Sequence, residues 1–211
     1  MAEIPYQMVV SIPPKAPKGK LPFIEDNNKK ISDSDLIIQH LKQTCGDKLD
    51  ADLSPSEKAV SLSMQRLLED HLFWITMYTR WHYTEENWLV NKKAIFDYFP
   101  PLIRDVVAVV YRVLIRRQIH GHGIARHSND EIFQLGRNDL DALSDFLGDK
   151  PYFMGKKPTS LDATAYGFLV NTLVCPIESP VKEYALSKQN LVDYCQRISS
   201  EYYPELTGTP V

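Results

Sequence analysis

The chain has 211 residues, a net charge of -3 and a hydrophobic content of 44%, which is enough to form the core of one large domain or of a small domain docked on a larger one. The small net charge and the pI of about 6.1 give no reason to expect a nucleic acid or an anionic membrane as partner. Three widely spaced cysteines without a C-x-x-C pair indicate reduced thiols rather than a disulfide framework. The first residues lack a basic segment followed by an apolar one, and no apolar run approaches the roughly 20 residues that span a bilayer. We therefore expect a soluble, cytoplasmic protein without a signal peptide or membrane span.

The first 50 residues have the mixed pattern of a small α/β unit. The alternation over residues 6–10 predicts a short strand, and a proline-rich irregular loop follows it. Residues 21–25 and 29–31 predict two further short strands around a turn. A capped helix is predicted from residue 35 to about residue 44, where a glycine ends it.

From about residue 51 onward the pattern is helical. Pro55 lies in the first turn of a long helix whose apolar residues fall on one face as far as residue 78. Residues 101–119 are rich in valine, but the run is too long for a strand and favours a buried helix. Further helices are predicted from a capping box at residues 128–131 to about residue 146, over 162–174 and over 188–202.

One pattern in the first unit has chemical potential. Leu21-Pro22 enters a predicted strand, where proline is tolerated and a cis bond is plausible. About ten residues later Asp33-Ser34 opens a helix, whose free N–H groups and serine hydroxyl can bind an anion. Alone, a strand with a proline and a capped helix is more often structural than functional.

A second pattern lies in P-Y-F-M-G-K-K-P-T-S-L-D-A-T-A-Y-G-F-L, at residues 151–169. Thr159 can cap a helix start, and Asp162 can accept a hydrogen bond from the Thr159 N–H in return. A capping box alone is common and indicates only that a helix begins. The whole string is more specific than the box it contains.

These motifs together resemble the glutathione S-transferase superfamily, in particular the failed-axon-connections branch, whose relatives include the metaxins. The resemblance also rests on I-P-Y at 4–6, K-G-K-L-P-F-I at 18–24, S-D-S-D-L-I-I at 32–38, N-W at 87–88 and G-H-G-I-A-R-H-S at 121–128. It implies an α/β plus all-α fold: a partial thioredoxin-like domain over residues 1–50, packed on a glutathione-transferase helical bundle over residues 51–211. It further implies that the first strand and helix of the thioredoxin-like domain are missing, so that Met1 is an internal methionine or the protein is a shortened form.

The resemblance also implies a site for glutathione as substrate. In glutathione-binding members the residue before the proline, here Leu21 before Pro22, pairs its backbone with the cysteinyl part, and Asp33 and Ser34 hold the γ-glutamyl end. The residue that activates the sulfur would lie in the missing segment, so the catalytic residue is unknown. An acceptor site for a small hydrophobic electrophile would be lined by Tyr78, Trp81 and His82, although core packing explains these aromatic residues at least as well.

Two functions therefore compete, and whether the chain is an enzyme is left open. The first is glutathione-dependent transfer to small electrophiles, with doubtful activity because the sulfur-activating element is absent. The alternative is a non-catalytic, metaxin-like binding or adaptor protein. A homodimer is compatible with either. We expect no metal at His120, His122 and His127, because a zinc site needs about four converging ligands and no cysteine is near in sequence.

Overall fold

The computed structural model describes residues 1–204. The chain divides into two compact units, Met1–Lys58 and Ala59–Val211. The first is a small α/β unit and the second is helical, which confirms the predicted fold class of a partial thioredoxin-like domain followed by a helical domain. The domain boundary predicted after residue 50 lies a short way before the division between the units.

The first unit is built on a β-hairpin and one helix. Strands β1 (Phe23–Asp26) and β2 (Lys29–Ser32) pair antiparallel, with Phe23 opposite Ser32 and Asp26 opposite Lys29. The two linking residues, Asn27 and Asn28, both have positive φ, at 49° and 63°, as a tight two-residue hairpin turn requires. Helix α1 (Ser34–Cys45) follows at once and ends at Gly46. These strands and this helix were predicted from the sequence.

The strand predicted at residues 6–10 is wrong. The segment is irregular, and its apolar side chains lie in solvent, with Tyr6 87% and Val10 93% exposed. Alternation makes a strand only where a neighbouring strand completes the hydrogen-bond ladder, and the sheet in the described residues contains only β1 and β2. Pro13–Lys15 form a short 3-10 helix within the predicted irregular loop.

The second unit continues a helical path that begins with α2 (Pro55–Arg66). Two π-helical stretches, Leu67–Leu72 and Thr79–Tyr83, flank the short helix α3 (Phe73–Tyr78). Helix α4 (Glu85–Phe96) then begins after Thr84, whose side chain accepts a hydrogen bond from the Asn87 N–H. The sequence analysis did not predict α4.

The remaining helices are α5 (Pro101–His122), α6 (Asn129–Leu147), α7 (Ser160–Leu173), α8 (Pro180–Ser187) and α9 (Gln189–Tyr202). All but α8 were predicted, and Ser128 and Glu131 form the predicted capping box of α6. Fully buried side chains from α6, α7 and α9, including Leu140, Leu169 and Tyr194, form the core of this unit.

Within residues 1–204 no helix combines the length and the apolar composition that a bilayer crossing requires.

Candidate functional site

The hairpin brings the two predicted glutathione-binding dipeptides to one end of the first unit. Leu21 and Pro22 immediately precede β1, and the bond between them is cis, as the sequence predicts. Asp33 and Ser34 immediately follow β2. Because Phe23 lies opposite Ser32, both dipeptides lie at the end of the hairpin away from its turn. Leu21 is 45% exposed, so this end of the unit is open to solvent.

The start of α1 is organised by the Asp33 carboxylate. Asp33 has φ of 87°, and its Oδ1 accepts hydrogen bonds from the N–H groups of Asp35 at 3.1 Å and Leu36 at 3.4 Å. The sequence analysis expected these N–H groups to be free for an anion, and in this respect it was wrong. The exposed carboxylate is positioned instead to attract a positively charged group, while the Ser34 hydroxyl lies beside it in the chain.

Ser32 is a feature of this end that the sequence analysis missed. Its side chain is only 4% exposed, and among the described residues no group forms a hydrogen bond with its Oγ. In the sequence it was indistinguishable from a helix-capping serine. Its burial does not follow from strand alternation, because Lys30, two residues earlier on the same face of β2, is exposed.

Two side-chain contacts hold α1 in place. His40 of α1 lies 2.7 Å (Nε2 to Oδ2) from Asp26 at the hairpin turn. Lys42, two residues further along α1, bonds to the buried Asp50. The hairpin and α1 therefore form one unit that fixes Asp33 relative to Leu21.

The residues predicted to line an acceptor site lie in the second unit. Tyr78 and His82 stack with ring centroids 4.8 Å apart, and the Tyr78 hydroxyl donates to Asn129 at 2.5 Å. Arg116 donates from Nε to His82 Nδ1 at 3.1 Å. Burial lowers the pKa of His82, and the neighbouring Arg116 and Arg112 guanidinium groups lower it further. Burial raises the pKa of Tyr78, and Arg116 partly opposes that effect. Both side chains are therefore neutral near pH 7.

Trp81 belongs to an aromatic cluster in the interior of the second unit. It is 6% exposed and packs against Trp88 and Phe96, with centroid distances of 5.4 Å and 6.4 Å. Tyr78 is buried as well, whereas His82 is only half-buried. Core packing accounts for the positions of Tyr78 and Trp81. Their role in lining an acceptor site stays a prediction.

A small cavity lies near these residues, between the end of α3, the end of α7 and the start of α8. Its volume is about 20 Å³, and it is lined by Thr76, Thr79, Arg80, Asn171, Thr172, Cys175, Ile177, Ser179 and Val181. Sites for small molecules enclose roughly 300–1,000 Å³, whereas this cavity has room for about one water molecule. It therefore does not hold an organic electrophile in the observed arrangement.

The predicted capping box is present at the start of α7. The buried Asp162 carboxylate accepts hydrogen bonds from the Thr159 N–H and hydroxyl, both at 2.8 Å, and from the Phe153 N–H at 2.8 Å. The Tyr194 hydroxyl donates to the same carboxylate at 3.2 Å. Burial raises the pKa of Asp162, while these hydrogen bonds lower it. The motif fixes a turn, a helix start and α9 around one carboxylate, which is a structural role.

The histidines near the end of α5 make separate contacts. The His122 ring stacks on Trp74 at a centroid distance of 4.6 Å, the His120 carbonyl accepts from Arg126 Nε, and His127 lies 3.8 Å from Glu131. Across residues 1–204 there is no group of three or more histidine, cysteine or carboxylate side chains arranged to bind a metal ion. Gly123 ends α5 with φ of 111°, a conformation that favours glycine.

Comparison with known proteins agrees with this architecture. Residues 1–87 match the glutathione S-transferase N-terminal domain, and residues 136–198 match the glutathione S-transferase C-terminal domain. The chain is 35% identical to the isoprene-epoxide–glutathione S-transferase of Rhodococcus sp. (strain AD45), over 95% of this chain and 85% of that protein. It is 31% identical to failed axon connections of Drosophila melanogaster, over 90% of this chain and 48% of that protein. It is 27% identical to metaxin-2 of Mus musculus, over 90% of this chain and 72% of that protein.

These relatives overturn the location expected from the sequence. The expectation of a cytoplasmic protein rested on its sparse cysteines and on the lack of a signal segment. Metaxin relatives are associated with the mitochondrial outer membrane, and no observation supports a cytoplasmic location. The cytoplasmic prediction is therefore wrong, because reduced thiols do not distinguish the cytosol from a membrane surface that faces it.

Proposed function

The chain belongs to the glutathione S-transferase superfamily, in the branch that includes failed axon connections and the metaxins, and on this basis we propose that its first unit binds glutathione. The observation that supports the proposal is the end of the hairpin at which Leu21-Pro22 and Asp33-Ser34 lie together in solvent. In the proposed complex the Leu21 backbone pairs with the cysteinyl part of the tripeptide. Extended peptides commonly bind an open strand edge in this way.

The charges at the start of α1 suit the γ-glutamyl end of glutathione, which has an ammonium group and a carboxylate on one carbon. An ionised carboxylate accepts hydrogen bonds but cannot donate them, so the Asp33 carboxylate is the partner for the ammonium group. The Ser34 hydroxyl and the positive end of the α1 dipole favour the carboxylate. The same end of the hairpin thus has complementary groups for both charges.

Beyond binding, the proposal includes transfer of glutathione to an electrophile. The first unit has one cysteine, Cys45, at the far end of α1, about 17 Å from Ser34 along the helix at 1.5 Å per residue. Cys45 is therefore too far from the proposed site to attack or to replace the bound thiol. The thiol of free glutathione is mostly protonated at neutral pH, so binding that does not lower the thiol pKa accelerates conjugation little. We expect binding of glutathione, with slow conjugation to small hydrophobic electrophiles.

A specific observation favours the second candidate, a non-catalytic binding or adaptor protein. Tyr78 and Trp81 are packed in the core, and the cavity beside α3 has room for about one water molecule. An adaptor needs no acceptor pocket. In that case the hairpin end would hold a peptide or glutathione without chemistry.

Isothermal titration calorimetry with reduced glutathione tests the binding proposal. We expect Ser34→Ala to weaken binding by roughly 1–3 kcal/mol, because a hydroxyl donor to a charged group is lost. Asp33→Asn keeps a good helix cap but removes the charge, so it should weaken binding by about tenfold or more. Ser56→Ala, in the first turn of α2, is the matched control and should bind like the wild type.

A conjugation assay with a generic aromatic electrophile and with a small epoxide separates the two candidate functions. Binding that depends on Ser34 with turnover near the uncatalysed rate supports the proposal as stated. Rapid turnover that Ser34→Ala leaves unchanged would place the site elsewhere in the chain. Absence of glutathione binding at millimolar concentration would favour the adaptor.

A further inference from the structure

The second half of α5 and the loop after it carry positive charge without a nearby acidic residue. Residues 106–129 contain four arginines and three histidines but no aspartate or glutamate. The chain as a whole has a net charge of -3, so this segment differs in sign from the rest. One of the arginines, Arg112, lies 2.9 Å from Glu85. The arginines that form no ion pair with a carboxylate of residues 1–204 are Arg116, Arg117 and Arg126.

The helix dipole does not account for the two arginines of this set that belong to α5. Cations are favoured at the C-terminal end of a helix, but the effect is confined to about the last turn. In α5 the last turn contains His120 and His122, whereas Arg116 and Arg117 lie before it. Both arginines are exposed, so their guanidinium groups are accessible to a ligand.

The second π-helical stretch places aromatic rings beside Arg116. The wide turn of a π-helix brings residues four and five positions apart to the same side. Tyr78 and His82 stack on each other, and Tyr78 and Tyr83 both pack edge-on against Phe133 of α6, at centroid distances of 6.5 Å and 4.7 Å. Arg116 reaches this group from α5, since its Nε donates to His82 Nδ1 at 3.1 Å.

Further contacts close this region on the side of α6. The Tyr78 ring, stacked on His82, extends to the start of α6, where its hydroxyl donates to Asn129 at 2.5 Å. The loop between α5 and α6 folds back on α5, because Arg126 Nε donates to the His120 carbonyl at 3.2 Å. The end of α5, the π-helical stretch and the start of α6 therefore surround one region of the surface.

This region contains hydrogen-bond donors that have no acceptor in the described part of the chain. The bond from Arg116 Nε to His82 Nδ1 requires a neutral ring whose proton is on Nε2. No residue of 1–204 accepts from that Nε2–H or from the two NH2 groups of Arg116. The same is true of the Arg117 guanidinium, the Asn129 amide NH2 and the Tyr83 hydroxyl. We call these five residues the donor cluster.

The acidic groups at the start of α6 do not cancel the positive charge of the donor cluster. Glu131 is engaged in the capping box, where it accepts from the Ser128 N–H at 2.8 Å and from the Ser128 hydroxyl at 3.0 Å. Asp130 is exposed to solvent, which screens its charge. Burial lowers the pKa of His82, and two guanidinium groups of α5 lower it further. The local potential at this ring is therefore positive.

The directions of the donors indicate the kind of anion that fits. Nδ1 and Nε2 lie on different sides of an imidazole ring, so the His82 Nε2–H points away from Arg116. A carboxylate is planar and is satisfied by a single arginine fork. A phosphoryl group has three strong acceptor oxygens and a charge of about -1.5 to -2 at neutral pH, so it can accept from donors that diverge. Nucleic acids need a longer row of cations than this cluster offers.

From these observations we propose that the donor cluster binds the phosphoryl group of a phosphate monoester. Arg116 and Arg117 neutralise its charge, while His82, Tyr83 and Asn129 donate hydrogen bonds to its oxygens. The site belongs to the second unit and is independent of glutathione binding, which concerns the first. It gives a role to two exposed arginines that the helix dipole and the ion pairs of the described residues leave unexplained.

Isothermal titration calorimetry of the full chain with glycerol 3-phosphate tests the proposal. Near pH 7.5 and at constant ionic strength, we expect one saturable site with a dissociation constant of about 1 mM. Arg116→Gln/Arg117→Gln should raise that constant by about tenfold or more, because both guanidinium groups are lost. Both positions are exposed and glutamine is a good helix former, so circular dichroism of the variant should match the wild type. Arg137→Gln, on α6, is the matched control and should bind normally.

Two measurements separate direct contact from a general effect of charge. Tyr83→Phe keeps the aromatic ring that packs on Phe133 but removes the hydroxyl, so it should weaken binding by about threefold or more. In NMR spectra at constant pH, the imidazole signals of His82 should shift as glycerol 3-phosphate is added. Those of His71, which is bonded to Asp139, should not shift. Equal shifts of both histidines would contradict a site at the donor cluster.

A vesicle arm distinguishes two sources of the same group. Retention on vesicles that contain phosphatidic acid, reversed by glycerol 3-phosphate, would assign the monoester to a lipid headgroup. Binding in solution without retention on vesicles would assign it to a soluble ligand, and both results support the proposal. No saturable binding up to about 50 mM, or binding that Arg116→Gln/Arg117→Gln leaves unchanged, would overturn it. Binding of a single-stranded oligonucleotide without binding of the monoester would assign the cluster to nucleic acid instead.

Discussion

The carboxylate of Asp162 organises the start of α7, and its removal should be among the more costly single changes in the second unit. Asp162 is fully buried and accepts hydrogen bonds from the N–H groups of Phe153 and Thr159 and from the hydroxyl of Tyr194. Asp162→Ala leaves three buried donors without an acceptor, the N–H groups of Phe153 and Thr159 and the Thr159 hydroxyl, each at a cost of about 1–3 kcal/mol. The Tyr194 hydroxyl keeps the Asp162 backbone carbonyl as acceptor, at 3.1 Å. The unfavourable burial of the carboxylate itself is relieved, which offsets part of that cost. We expect a net loss of about 3–5 kcal/mol, a large share of the typical stability of a domain.

Asp162→Asn removes only some of these hydrogen bonds. The amide oxygen can still accept from two donors, but the NH2 group cannot accept from the Thr159 N–H. We therefore expect a smaller loss, of about 1–3 kcal/mol. Asp145→Ala, at an exposed position near the end of α6, serves as the control and should change stability by less than about 0.5 kcal/mol.

Urea unfolding followed by tryptophan fluorescence measures these losses. All three tryptophans, Trp74, Trp81 and Trp88, lie in the second unit, so the signal reports on the unit that contains Asp162. A loss below about 1 kcal/mol in Asp162→Ala would refute the reasoning, because it would mean that the donors find water or other partners once the carboxylate is gone.

Three further predictions follow from burial in the second unit. Burial raises the pKa of Cys195 to about 12. A thiol reagent at pH 8 should therefore modify the exposed Cys45 in the folded chain, and Cys195 only after the chain unfolds in urea. The absorbance of the thiolate that the reagent releases measures the number of modified cysteines. Because burial lowers the pKa of His82, the unfolded chain takes up this proton first as the pH falls below about 6.5; His82→Gln should therefore lose less stability than the wild type between pH 7 and pH 5 in urea titrations. In Gly136→Ala the new Cβ would lie 2.8 Å from Val181 Cγ2, and overpacking of about 1–3 kcal/mol should exceed the helix-propensity gain of about 1 kcal/mol, so calorimetry should show a lower Tm; an unchanged or higher Tm would show that the packing is loose there.

Helix boundaries were predictable because the forces that set them are local. Asp33, Ser128 and Thr159 each precede a helix with a partner a few residues away, and the structure shows all three at helix starts. Thr84 and Ser179 are capping residues of the same kind, but the sequence analysis overlooked them and so missed α4 and α8. The capping residues of both helices were present in the sequence, so α4 and α8 could have been predicted.

Tertiary surroundings could not be predicted in the same way. The alternation at residues 6–10 has the period of a strand, but a period does not supply the neighbouring strand that the ladder needs. The hydroxyl of Ser32 and the indole of Trp81 are both buried by residues distant in sequence. The proposed site shows the same difference between local and tertiary features. Leu21 and Asp33 lie at one end of the hairpin because a short turn joins its two strands. The water-sized cavity beside α3, in contrast, depends on how three helices pack.

Helix α5 shows how a partly wrong prediction can be informative. Its valine-rich run predicted a buried helix, and a helix was found, but its outer side is exposed from Leu102 to Leu114. The composition of a segment reflects the surroundings in which it is stable, whereas the exposure of its side chains reflects only the chain at hand.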